Sequence, residues 1–207
     1  MRKDSDSWQW NLQSNGFFST STLTTLIDER LVVQNNSNRV DTVRNNMLPQ
    51  KIGIFVWRTK LSRIPVRVEL DKRGIDLDLV RCPICDRDIE TVEHIMLHCP
   101  FAKDIWSRVF RWWNIGVPNY TNLGDIFQGK HGSGSLSKLW QAIKWISGYI
   151  IWQKRNQTLF RNKKGNGPTT LKGIHIKTYE WVKHRSKKTS IDWIQWLLNP
   201  KSFDDHG

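Results

Sequence analysis

Hydrophobic residues along this chain fall mostly at helical spacing, and the gaps between the stripes carry helix-ending residues. Over 50–62, Ile52, Ile54, Phe55, Val56, Trp57 and Leu61 occupy nearly every face, so the pattern predicts a central, buried helix. Leu48-Pro49-Gln50-Lys51 opens it and Ile64-Pro65 breaks it. A short helix over 66–73 follows and stops at Gly74, the expected left-handed residue after Lys72-Arg73. From Pro100, the residues Ala102, Ile105, Trp106, Val109, Phe110 and Trp113 form a stripe, with Lys103, Asp104, Arg108 and Arg111 on the polar side. Leu136, Leu139, Trp140, Ile143, Ile146 and Ile150 make a second long stripe that runs to Arg161 and is ended by Gly165-Asn-Gly-Pro168. A third helix begins at Thr169 or Thr170 and carries Leu171, Ile174, Thr178, Trp181 and Val182 on one face. The apolar run 191–198 (Ile191, Trp193, Ile194, Trp196, Leu197, Leu198) is expected to dock onto the body, and residues from Asn199 to fray.

The N-terminal part reads differently. Trp8, Trp10 and Leu12 alternate with polar residues, Asn15-Gly16 is a two-residue turn signal, and Phe17-Phe18 begins a return strand. Ser19 or Thr20 then caps a helix with Leu23, Leu26, Ile27 and Leu31 on its apolar face. Residues 34–46, rich in Asn and Ser, read as a loop. A second loop-like stretch, 114–135, ends in Gly132-Ser-Gly-Ser135 and reads as a boundary or flexible connection. The expected fold is mainly α: a short β-hairpin and helix as lead-in over 1–47, a small helical domain over 48–120, and a basic amphipathic helical tail over 136–198. No internal repeat is visible.

Composition narrows the class. A chain of 207 residues holds one domain, or a compact domain plus a tail. With 38% hydrophobic residues and twelve tryptophans it has the means to build a core, which argues against global disorder. Trp57, Trp106, Trp113, Trp140 and Trp181 sit on apolar stripes and read as core. No apolar run is long enough to span a bilayer, and Met1-Arg-Lys-Asp-Ser-Asp is followed by no apolar signal core, so an intracellular, non-secreted protein is expected. Three cysteines, an odd number, argue against a disulfide framework and for a reducing compartment.

The cysteines supply the candidate chemistry. All three lie in Cys82-Pro-Ile-Cys85 and Cys99, with His94 between, a spacing of C-x2-C-x8-H-x4-C. Three thiolates and one imidazole complete a tetrahedral ligand set for one structural zinc ion, which favours soft sulfur and nitrogen donors. Pro83 stiffens the Cys-x2-Cys turn, and Pro100 stops the chain just past the last ligand. His98 competes with His94 for the fourth place, but it adjoins Cys99, and consecutive side chains rarely reach one metal. A redox pair is disfavoured because no strand precedes the motif to set up a βαβ unit. A RING-type module would need eight ligands.

A broader set of residues carries a family resemblance. Leu48-Pro-Gln-Lys-Ile-Gly-Ile-Phe-Val-Trp57-Arg58, Arg63-Ile-Pro65-Val-Arg67, Leu70, Arg73-Gly74, Cys82-Pro-Ile-Cys85, Glu90, His94-Ile, Cys99 and Ile105-Trp106 resemble the reverse-transcriptase zinc-binding domain. That module lies C-terminal to the polymerase in plant LINE-type (non-LTR) retrotransposon proteins. Trp8-x-Trp10, Gly16-Phe-Phe-Ser19 and Ile27-Asp28 look like its lead-in, so the resemblance covers residues 6–115. Arg44 stands where the family usually has tryptophan, and Val66 replaces the usual threonine after the proline; both suggest a diverged copy. The resemblance implies His94 as the fourth ligand. It also implies a parent RNA-directed DNA polymerase, of which this chain would be a non-catalytic accessory module. Tyr-x-Asp-Asp is absent, and Asp71, Asp76, Asp78, Asp86 and Asp88 show no two-metal spacing, so the chain is not read as an enzyme.

Charge suggests the partner. The net charge is +13 with pI near 9.9, which favours a polyanion, nucleic acid ahead of an anionic membrane. From Lys154 to Lys188 there are eleven basic residues and one acid, Glu180. A solvated helix face normally mixes signs, so Lys154, Arg155, Arg161, Lys163, Lys164, Lys183, Arg185, Lys187 and Lys188 are the candidate contacts to RNA or DNA phosphates. Lys183-His-Arg-Ser-Lys-Lys188 reads alternatively as a nuclear import signal. Trp145, Tyr149 and Trp152, flanked by Lys144, Lys154 and Arg155, either stack bases or pack onto the 169–185 helix. The competing reading is a protein docking module that positions the polymerase domain. A third is a retroelement relic that has lost its role.

Overall fold

The structure, a computed structural model, describes residues 19–20, 45–128, 134–185 and 192–202. The chain divides into two units, Met1–Asp41 and Thr42–Gly207; all that follows concerns the second. The hairpin expected over 6–18 and the stripe Leu23, Leu26, Ile27 and Leu31 lie outside the described residues.

Seven α-helices are described: α1 Gln50–Lys60, α2 Arg67–Asp71, α3 Pro100–Trp112, α4 Leu123–Gln128, α5 Gly134–Arg161, α6 Gly167–Arg185 and α7 Trp193–Leu198. The fold is therefore mainly helical, and the nearest thing to a sheet among the described residues is one antiparallel bridge, Arg81 with Ile89. Three helices end in the same way. A left-handed residue at Ser62, Gly74 or Asn114 turns the chain, and the next N–H reaches back to close the last turn. Arg63 donates to Arg58, Ile75 to Leu70 and Ile115 to Phe110, at 2.7, 3.2 and 3.1 Å. Gly74 was the expected stop. Ser62 and Asn114 do the same work with a side chain present.

The central helix is α5 and not α1. From Ala142 to Gly148 every residue of α5 is buried, and its burial extends to Trp152 and Arg155. Helix α1 buries only Ile52, Phe55, Val56 and Thr59, while Ile54 is 45% exposed. Its apolar residues are numerous, but one face of α1 suffices for what it packs against. Nor is 136–198 a tail. Leu139, Trp140, Ile143, Ile146, Ile174, Val182 and Trp196 belong to the same core as Ile52, Ile95, Ile105 and Phe110.

The expected connection over 114–135 contains α4, whose Leu123, Ile126 and Phe127 are buried. Asn122 opens this helix by accepting the N–H of Asp125 at 3.0 Å. Gly148 lets α4 lie close: a Cβ there would come 2.8 Å from the Phe127 ring. Gly167 is similar, since a Cβ would meet the Asp104 carboxylate that lies at the first turn of α6.

Indoles tie these pieces together. Trp106 donates to the Met96 carbonyl, Trp112 to Leu197, Trp145 to Phe127 and Trp196 to His175, at 2.7, 3.0, 3.1 and 3.2 Å. Each bond joins two different segments, and those of the buried Trp106, Trp145 and Trp196 satisfy a polar group that burial would otherwise strand. Trp196 docks α7 as expected, and Pro200–Ser202 continues as a 3-10 turn with Pro200 buried in place of a frayed end.

One polar contact spans the core. Arg155 on α5 grips Glu90 with two hydrogen bonds, Nε to Oε1 at 2.6 Å and Nη2 to Oε2 at 2.7 Å. Both side chains are closed to solvent, and the guanidinium also lies 4.8 Å over the Trp152 ring. Glu90 Oε2 accepts the Arg67 N–H at 2.9 Å as well, so it caps α2, where Val66 has no side-chain oxygen to offer. Arg155 is accordingly not a phosphate contact: its charge is consumed inside the fold. Replacing Arg155 with Ala leaves a buried carboxylate unpaired and is expected to cost about 3–5 kcal/mol in chemical denaturation, whereas Glu90→Leu with Arg155→Met recovers most of that loss.

Candidate metal centre

Cys82, Cys85, His94 and Cys99 come together at one point, with their ligand atoms all within 4.8 Å of one another. Three local devices bring them there. Residues 80–82 pair with 88–90, through Cys82 N–H to Asp88 O and Glu90 N–H to Val80 O, each 2.8 Å. Between these arms the chain turns at Asp86, which is left-handed, and the Asp86 N–H donates to the Cys82 carbonyl at 2.9 Å. That tight turn places Cys82 and Cys85 on the same side.

Thr91 then starts a helical turn by accepting the His94 N–H at 2.9 Å. The turn widens to a π-helix over His94–His98, closed by the Cys99 N–H on the His94 carbonyl at 2.6 Å. Residues five apart on an α-helix point about 140° from each other at 100° per residue. The wider π turn, followed by extended backbone at Cys99, cancels that divergence. His94 and Cys99 therefore reach the same centre. His98 is exposed and outside the group.

The spacings fit zinc. Cys82 Sγ and Cys99 Sγ are 4.0 Å apart, and Cys85 Sγ lies 3.3 Å from His94 Nε2. Tetrahedral zinc with ordinary bond lengths asks for about 3.8 Å between sulfurs and about 3.6 Å between sulfur and nitrogen. His94 Nδ1 faces the Asp88 carboxylate at 3.7 Å, so the proton belongs on Nδ1 and Nε2 is left to ligate.

Electrostatics point the same way. The contact with Cys82 pulls the Cys99 pKa down, helped by the Phe101 and Ala102 N–H groups at the start of α3. The same contact, then burial, pushes Cys82 up against the N–H groups of Cys85 and Ile84. Burial and the mutual contact work against a second thiolate here, and a divalent cation between the sulfurs would let both ionise. Burial, ahead of the opposing pull of Asp88, holds His94 below its ordinary 6.5, in the neutral form that a metal requires. The donor set is consistent with one structural zinc ion (Zn2+), held by Cys82, Cys85, His94 and Cys99. Bound there, it supplies charge neutralisation and a cross-link between the 82–85 turn and the 94–99 turn.

The other candidate residues separate into three groups. Arg161, Lys163, Lys164, Lys183 and Arg185 are exposed, Lys154 is half-buried against Gln157 Oε1 at 3.1 Å, and Arg155 is buried. Lys187 and Lys188 lie outside the described residues. The aromatic stripe is not free to stack bases. Trp145 is buried against Gly53 and Phe127, Tyr149 meets Phe55 edge-on at 5.4 Å, and Trp152 is covered by Arg155. Thr91 and Asp88 were missed as supports of the site: Thr91-Val-Glu-His94 has the spacing of a helix cap, but Asp86 and Glu93 lie nearer the ligands in sequence than Asp88 does, so nothing local singles Asp88 out.

Comparison with known families agrees with this geometry. The site is of the Cys3His structural type, and residues 17–106 match the model of the family described as zinc-binding in reverse transcriptase. All four ligands, and Glu90, fall inside that match. No curated protein and no solved structure matches the chain. Among the described residues no helix is long and apolar enough to cross a membrane.

Cys82→Ser is expected to abolish stoichiometric zinc, read by elemental analysis, and to lower Tm; a variant that keeps both would refute the ligand assignment. Acid should act through His94. Its folded pKa lies below its unfolded value of 6.5, so the folded state resists protonation and the associated stability is complete above that pH. As pH falls below 6.5 and through the lowered folded value, the stability of the metal-free chain drops; in the zinc-loaded chain, protons compete with the metal at His94 and at the three thiolates, so transfer to a chromogenic chelator should rise toward acid pH.

Proposed function

We propose that this chain is the zinc-clasped, non-catalytic accessory module of a retroelement reverse-transcriptase protein, of the plant LINE-type, and that it binds RNA or DNA without sequence preference. The Cys3His cluster inside the segment that matches a reverse-transcriptase zinc-binding family carries the reading. Zinc's part is structural: its ligands are buried or half-buried, and they stand on two short turns without a recognition helix.

The nucleic-acid part rests on charge. Arg161, Lys163, Lys164, Lys172, Lys183 and Arg185 are exposed on α5, α6 and the loop between them. No Asp or Glu occurs between Asp125 and Glu180. A stretch of chain of one sign and this length, with the neighbouring Asp104 already paired to Arg108, favours phosphates through an entropic release of counterions that salt suppresses. Three cysteines kept as thiolate ligands suit a reducing intracellular compartment, the nucleus among them.

A second reading has its own support: Ile75, Leu79 and Ile89, on the zinc-bearing segment, are 47%, 60% and 57% exposed, which favours a protein contact such as the polymerase domain. One titration separates the two. With six phosphate contacts, affinity should fall roughly 300-fold for single-stranded RNA and roughly 2,000-fold for duplex DNA between about 50 and about 200 mM salt. Charge reversal at Arg161, Lys163 and Lys164 should weaken binding further. A flat salt response, or binding indifferent to those reversals, would leave the docking reading in possession.

A further inference from the structure

Among the described residues Phe160 is the one aromatic side chain classed as exposed, at 75%. It stands in the last turn of α5, and its setting is built. Asn162 is left-handed and turns the chain back over that end. The Lys163 N–H then donates to the Gln157 carbonyl at 3.2 Å. The Thr158 hydroxyl is within 3.1 Å of the Lys163 carbonyl and 3.0 Å of the Lys154 carbonyl. Beyond, Gly165 comes so near Phe101 that a Cβ would lie 3.0 Å from its ring. The loop carrying Lys163 and Lys164 is thus stapled to the helix end that presents Phe160.

An exposed ring with cations at 161, 163 and 164, on a helix end and loop whose backbone is held, and with no acid between Asp125 and Glu180, suits one kind of ligand. We propose that Phe160 is a base-stacking platform in a single-strand nucleic-acid site, with Arg161, Lys163 and Lys164 holding the flanking phosphates. The proposal rests on the nucleic-acid reading above and makes it specific. Bases in a duplex have both faces covered by their neighbours, whereas an unpaired base has a free π-face for the ring. The site therefore discriminates by strandedness and not by sequence.

The zinc-loaded full chain would be titrated by fluorescence anisotropy with labelled oligouridylate, oligodeoxythymidylate and a blunt DNA duplex. Phe160→Ala and Phe160→Leu should each weaken single-strand binding by about 5- to 150-fold, the loss of one stacked base, while Phe160→Trp stays within about threefold of wild type. Duplex binding and the salt slope should be unchanged in all three. If Ala and Leu variants bind single strands as wild type does, with the salt slope intact, the platform is wrong and the polyanion reading stands. If the wild type binds neither form of nucleic acid, both fall together.

Discussion

A carboxylate and a guanidinium shut away from water hold this structure in register. Glu90 sits one residue beyond the bridge that closes the zinc-bearing turn, and Arg155 sits on the helix that runs through the core. Removing two charges from water costs several kcal/mol per ion, and only bidentate geometry with every lone pair used can offset it. Here the geometry is bidentate, the second oxygen also caps α2, and Trp152 covers the guanidinium. Such a pair contributes little net stability against an apolar substitute, but it tolerates no other alignment. Its consequence is that the metal-bearing segment and α5 cannot be separate bodies.

The metal centre depends on that alignment at a shorter range. Two tight turns, one between paired arms at 80–90 and one π-widened at His94–His98, each deliver two donors. The first turn has little apolar surface of its own: Cys82 is buried, but Ile89, and Ile75 and Leu79 ahead of it, face out. The core anchors the second turn through Ile95, Met96 and Leu97 and through the indole of Trp106 on the Met96 carbonyl. Zinc then cross-links the first turn to the second. Helical packing and metal divide the work, and loss of metal should loosen residues near 82–90 before it melts α5.

Much of this was legible in the chain. The Cys-x2-Cys, the ligand histidine and the last cysteine follow from residue type and spacing, because zinc admits few donors and a tight turn admits few spacings. The helix at 100–112, its stop after Trp113 and the return of Trp196 follow from periodicity. The ranking of helices was not legible. Helix 50–60 is apolar on more faces than it buries, while α5 mixes Lys, Ser, Gly and Arg into a buried stretch, so hydrophobicity alone ordered them wrongly. Arg155 shows why: a local count reads it as one more exposed cation, and only its partner, far back in the chain, takes it inside.

The sequence by itself determined the donor set, the helical class and the excess of positive charge, each a property of residue types and their near neighbours. Tertiary structure alone decided which charges remain outside and which aromatics do. Trp145 and Trp152 were the plausible stacking residues by pattern, yet α4 and the Glu90–Arg155 pair cover them, and among the described residues Phe160, unremarkable in sequence, is the ring left in water. Exposure is a property of the whole packed chain, because a side chain is buried only when distant segments arrive to cover it.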